Sequence, residues 1–141
     1  MIDRKPLSWL HNKTYLFLGD SIDRNALDQF CGFAGSSTID SEPTFQIEED
    51  GQIVKTDIPF LKTCTIEHYD LMLVELHFYV QMEEDPIWPW TMNGRYRRPR
   101  KLEQRLPWVK QIMDQLGRKP DIIVTGGGNI PPSILDVDSW W

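Results

Sequence analysis

The stretch Tyr15-Leu16-Phe17-Leu18-Gly19-Asp20-Ser21-Ile22-Asp23-Arg24-Asn25 joins a short apolar run to an amphipathic one through Gly-Asp-Ser. The apolar run reads as a buried strand, and the spacing beyond Ser21 reads as a helix, so the serine falls in the first turn of a helix at a strand's end. Amides without intrahelical partners and the positive end of the helix dipole meet at such a place. A carbonyl oxygen gaining negative charge there is stabilised, which points to acyl-ester chemistry. Asp20 and Ser21 also suit a plain N-cap, a task that needs no chemistry.

At 141 residues the chain is long enough for one domain with a real core and short for a complete α/β hydrolase. A hydrophobic content of 40%, with six Trp and six Phe, argues for a packed fold and against disorder. The net charge of −6 argues against nonspecific nucleic-acid binding. Cys31 and Cys64 are too few for a disulfide scaffold and lack metal-ligand spacing; they read either as one bridge in an exported protein or as buried thiols. The apolar run behind the charges of Met1 to Pro6 is too short to read as a signal peptide, and none elsewhere is long enough to span a bilayer. The expectation is a soluble, cytoplasmic protein. Three scattered histidines, without His-x-x-x-His or Cys-x-x-Cys, predict no metal site, and no cofactor is expected.

Along the chain, Thr14 to Leu18 predicts a strand and Ile22 to Cys31 a helix with Ile22, Leu27, Phe30 and Cys31 on one face, ended by Gly32 and Gly35. Residues 36–65 read as an insertion beside the main sheet, a hairpin of Phe45-Gln46-Ile47 and Ile53-Val54 around an Asp50-Gly51 turn. Tyr69 to Val80 predicts a second buried strand, residues 81–100 a long loop, and Lys101 to Leu116 a helix in which Pro107 either makes a kink or marks the first turn. Gly117 stops that helix before a third strand, Ile122 to Thr125. This order predicts a single α/β domain over residues 1–141: an open parallel sheet in three layers with flanking helices, a small hairpin insertion and an incomplete outline. Active groups belong at the carboxyl ends of its strands.

Phe17-Leu18-Gly19-Asp20-Ser21-Ile22-Asp23-Arg24-Asn25 resembles the first block of the SGNH (GDSL) hydrolases, and within them the PC-esterase-like fungal branch with Gly-Asp-Ser followed by Arg-Asn. The resemblance implies that Ser21 is the nucleophile and that its N–H serves the oxyanion hole, with Asp20 beside it in the catalytic block. Pro120-Asp121-Ile122-Ile123-Val124-Thr125-Gly126-Gly127-Gly128-Asn129 resembles the third block, which implies that Asn129, with Gly127 two places before it, donates to the oxyanion. Read from the residues alone, the same glycines make a turn or a phosphate-binding loop. The second-block glycine has no clear counterpart.

The family's late Asp-x-x-His base has no match, since no histidine follows His77. A serine hydroxyl without a base is a poor nucleophile. His77, near the end of the second strand, is the candidate substitute, with a hydrogen-bonded core histidine as its plain alternative; His68 and His11 read as surface or loop positions. Arg24 and Asn25 sit in the first turn after Ser21, where they either hold an anionic or hydroxylated group or tie Asp20 in place. The basic cluster of Arg95, Arg97, Arg98, Arg100, Lys101 and Arg105 follows Glu83-Glu84-Asp85 and reads as internal pairing, or as a carboxylate-recognising patch. Trp88, Trp90, Trp140 and Trp141 line a pocket, fill the core or drive a homodimer. Together these features predict a serine esterase or acyltransferase acting on an ester of a small molecule or carbohydrate. The alternative is a truncated, non-catalytic relative that binds a ligand or a partner chain.

Overall fold

A computed structural model describes residues 7–41, 46–49, 51–55, 60–77 and 102–125. Their elements are β1 (Thr14–Gly19), α1 (Ser21–Phe33), β2 (Thr38–Ser41), β3 (Gln46–Glu49), β4 (Gln52–Lys55), β5 (Leu61–Ile66), β6 (Leu71–His77), α2 (Leu102–Gln115) and β7 (Ile122–Thr125), with short 3-10 turns at Ser8–Leu10 and Glu67–Tyr69. Five strands form one sheet in the order β2-β5-β6-β1-β7, and β3 and β4 pair as a separate hairpin.

The sheet is mixed, which corrects the expectation of an open parallel one. β1 runs parallel to β6 on one side and β7 on the other, whereas β5 is antiparallel to both β6 and β2. Only Glu67 to Asp70 separate β5 from β6. A parallel pairing needs a crossover of roughly a dozen residues, so this short link forces a hairpin. Asp70 completes the reversal in the left-handed region, at φ 46°. The expected insertion over 36–65 is therefore only partly set apart: β3 and β4 stand beside the sheet, while β2 and β5 extend it. The second strand also starts later than its hydropathy suggests, because Glu67–Tyr69 is taken up by a 3-10 turn.

Alternation along the strands sorts the core into two layers. Leu16 and Leu18 of β1, Val74 and Leu76 of β6 and Leu61 of β5 face α2, which supplies Trp108, Val109, Ile112 and Met113. On the other face Leu71 and Leu73 of β6 and Cys64 and Ile66 of β5 pack with Leu27 and Cys31 of α1, and with Leu10. Cys31 and Cys64 form a disulfide that ties α1 to β5, with Cα atoms 6.5 Å apart, resolving the two readings of the cysteines. α2 runs from Leu102 with Pro107 inside it, so the proline does not mark its first turn.

α1 departs from its predicted face. Leu27 and Cys31 are buried, but Ile22 is 74% and Phe30 48% exposed. The helix continues to Phe33, with Gly32 inside it; the reversal comes at Gly35, whose φ of 76° suits glycine and lets Ser36 N–H donate to the Cys31 carbonyl. No helix among the described residues is long and apolar enough to cross a membrane.

Candidate active site

β1 hands the chain to α1 through a tightly built corner. Asp20 is the N-cap: its Oδ1 accepts from Ile22 N–H at 2.8 Å, while Asp20 N–H donates to Asp23 Oδ2 at 3.2 Å, a reciprocal capping box. The Asp23 carboxylate thereby folds over Gly19, where an added Cβ would collide with it. Glycine at position 19 is thus required by a close approach and not by an unusual φ. Ser21 opens the helix and is exposed to solvent. Asp20, an expected member of the catalytic block, spends its side chain on the cap.

The register brings a second expected residue to this corner. On β6, His77 is the Cα partner of Gly19, so the imidazole belongs to the carboxyl end of the strand beside the one that leads to Ser21. His77 is 3% exposed, and its backbone N–H donates to the Phe60 carbonyl at 3.1 Å. The Phe60 ring meets the imidazole edge-on, 5.7 Å between centroids. Arg24, half-buried in the first turn of α1, lays its guanidinium carbon 4.8 Å from the centroid of that same ring. Asn25 is exposed. No described residue forms a hydrogen bond with the Ser21 hydroxyl.

Glu75 was not singled out in the sequence, yet it is fully buried, on the same face of β6 as His77. Its Oε1 lies 3.5 Å from His77 Nδ1, within ion-pair distance but without a hydrogen bond between them. Burial pushes the Glu75 carboxyl above its ordinary range; the neighbouring His77, and the more distant Arg24, offset part of that rise. The signal was present: one carboxylate interrupts the apolar run Leu71 to Leu76, two places before the histidine.

Two further charged groups serve the frame. Lys62 of β5 is buried and pairs with Asp28 of α1, and with Asp40 of β2 at 3.4 Å, while Thr38 donates to Asp28 at 2.6 Å. The bonds from Lys62 and Thr38 hold the Asp28 carboxyl below its ordinary value. Asp121 fastens β7 to β1, accepting from Lys13 Nζ and Thr14 N–H, each at 2.8 Å. Burial would raise its carboxyl, but those two donors outweigh it and hold it low. At the opposite, amino end of the strands, exposed His11 and His68 both pack edge-on against Tyr69.

A cavity of about 450 Å³ opens on the α1 face, lined mainly by apolar side chains including Trp9, Tyr15, Phe17, Phe30 and Leu73, with Asp23 at its border. Among the described residues no group of three or more His, Cys, Asp or Glu side chains could hold a metal ion. Gly127 and Asn129, the loop over 81–100, and the tryptophans at 88, 90, 140 and 141 lie outside the described residues, as do the side chains of the basic cluster. β7 ends at Thr125, paired with Leu18 on β1, so the chain leaves this strand at the same end of the sheet as Gly19. The chain matches no protein-family model, no curated protein and no solved structure.

Proposed function

We propose that this protein is an SGNH-like serine esterase or acyltransferase with Ser21 as its nucleophile. The observation that carries it is an exposed serine at the first position of α1, reached directly from the central parallel strand and at that strand's carboxyl end. Ser21 Oγ attacks the carbonyl of an ester, and the developing oxyanion is met by the Ser21 N–H, since the Asp20 cap already takes the Ile22 amide. His77 is the candidate base, chosen because its strand ends beside Gly19. The tetrahedral intermediate expels the alcohol and leaves an acyl-enzyme, which water or an acceptor hydroxyl then resolves. In this scheme Gly127 and Asn129 complete the oxyanion site, and Arg24 and Asn25 contact a polar part of a small-molecule or carbohydrate ester.

The Cys31–Cys64 disulfide supports an oxidising compartment over the cytoplasmic expectation, because such bonds rarely persist in reducing ones. Growth of the protein with and without a secretion leader, followed by thiol counting, tests this: free thiols in the exported protein would defeat it.

A non-catalytic binding role is the second reading, favoured by the lack of a hydrogen-bond partner for the Ser21 hydroxyl among the described residues and by the nearby apolar cavity. One experiment separates the two. Hydrolysis of p-nitrophenyl acetate and labelling by a fluorophosphonate are measured for the native chain and for Ser21→Ala. Loss of both signals in the variant is expected; equal background rates and no label in either protein would leave the binding role.

A further inference from the structure

We propose that Glu75 is a positioning residue that orients the His77 imidazole for proton transfer at the Ser21 end of the sheet. This rests on the reading of Ser21 as nucleophile and adds to it a group that sets the geometry of the base.

The first observation is cost. A carboxylate removed from water is expensive unless a partner compensates it. Glu75 is fully buried on a sheet face where Leu73, its neighbour on the same side of β6, is apolar, and where Phe17 is its Cα partner on β1. The chemistry that calls for a carboxylate is His77 Nδ1, 3.5 Å away.

The second observation is enclosure. Lys62 is the Cα partner of Glu75 on β5, but its ammonium pairs with Asp28 and Asp40. From α1, Asp23 and Arg24 act on Glu75 only through space. Phe60 closes another side of the imidazole, and no further donor among the described residues reaches the Glu75 carboxylate. Glu75 is thus a buried carboxylate whose near neighbour is the His77 ring, with Phe60 against another side of that ring.

A carboxylate facing Nδ1 keeps the proton on that nitrogen and leaves the lone pair on Nε2. Nε2 takes the Ser21 Oγ proton as the bond from Oγ to the acyl carbon forms. The same proton passes to the departing alkoxide as the ester C–O bond breaks. Glu75 exchanges no atom in this cycle; it holds the ring and its tautomer, as a buried carboxylate does for a histidine base elsewhere.

The test compares the full native chain with Glu75→Gln, Glu75→Leu and Ser21→Ala, after far-UV circular dichroism confirms folding. Long-range ¹⁵N–¹H spectra of His77 report the tautomer, and fluorophosphonate labelling across pH reports the base. Expected is Nδ1–H in the native chain, its loss in both Glu75 variants, and labelling slowed roughly tenfold or more with a displaced acid limb. Glu75→Leu is expected to remain folded, so slow labelling in it reflects the lost carboxylate; should it unfold, Glu75→Gln carries the same comparison. An unchanged tautomer, or labelling with the native rate and pH profile in Glu75→Gln, overturns the proposal. If the native chain takes no label, the Ser21 reading fails and the proton-transfer role of Glu75 falls with it; the spectra then decide only whether Glu75 orients the ring, a lost tautomer supporting that and an unchanged one overturning it.

Discussion

The two faces of the five-stranded sheet are built to different rules. Against α2 the core is built of apolar side chains, with Leu16, Val74, Leu76, Val109, Ile112 and Met113 all fully buried. Against α1 the same strands bury a lysine, a glutamate and a histidine, carry the disulfide, and leave a cavity together with an exposed Trp9 and Phe30. One face is closed by close packing, whose cost of disruption is high and local. The other is held by a covalent bond and ion pairs around a less complete core, and it is this face that bears the candidate site. Buried charge is tolerated where the opposite face already secures the strands.

Substitutions that break this contrast should scale accordingly. Leu76→Ala, on the α2 face, is expected to cost about 4 kcal/mol in urea unfolding. A loss no larger than that for an exposed apolar residue would show the α2 face to be less well packed than described. Replacing both Cys31 and Cys64 by Ser opens a loop with a sequence separation of 33 and should cost about 3 kcal/mol, measured under non-reducing conditions. If that change exceeds the effect of Leu76→Ala, the ranking of the two faces is reversed. Asp20→Ala removes the cap of α1 and should cost about 1 kcal/mol, with the loss confined to α1 in hydrogen exchange.

Titration sharpens the same comparison with smaller effects. The carboxyls of Asp28 and Asp121 titrate below their ordinary value of 3.8, so the stability they add is present above that pH and is lost as pH falls through their folded values. Glu75 has the opposite sign: its carboxyl is raised above the ordinary 4.5, so its contribution is present below that value and declines as pH rises through the folded one. Asp28→Asn should therefore flatten the acid limb of a stability profile, and Glu75→Gln should flatten the decline toward neutrality. Unfolding midpoints measured across pH check both, and limbs unchanged by the two variants would sink the assignments. The smallest effect belongs to Phe33→Ser: the side chain is 93% exposed, so a change within about 0.5 kcal/mol is expected in the same unfolding assay.

Much of the α/β order was legible from local pattern. β1, α1, α2 and β7 fall where apolar spacing places them, because each signal is contained within the element itself. The roles of β2 and β5 were not legible. Their short, half-polar sequences resemble a surface hairpin, and their place in the sheet follows from β5 pairing with β6 across a four-residue link and β2 pairing with β5, rather than from their own hydropathy. Ile22 and Phe30 show the limit of helical spacing: both lie on a plausible inward stripe, yet Ile22 is left exposed and Phe30 lines a cavity instead of filling the core.

For the candidate site, the sequence by itself determined the corner at Gly19-Asp20-Ser21, since a cap, a close-approach glycine and a first-turn serine are all set within one turn of chain. It also supplied His77 as the nearest histidine to a strand end. Only the tertiary structure decided that His77 stands beside Gly19, that Glu75 is buried against it, and that Cys31 meets Cys64. Those three facts depend on strand order and register, which bring distant residues together through hydrogen bonds between strands and shared burial, and such long-range pairings leave little trace in the spacing of any one segment.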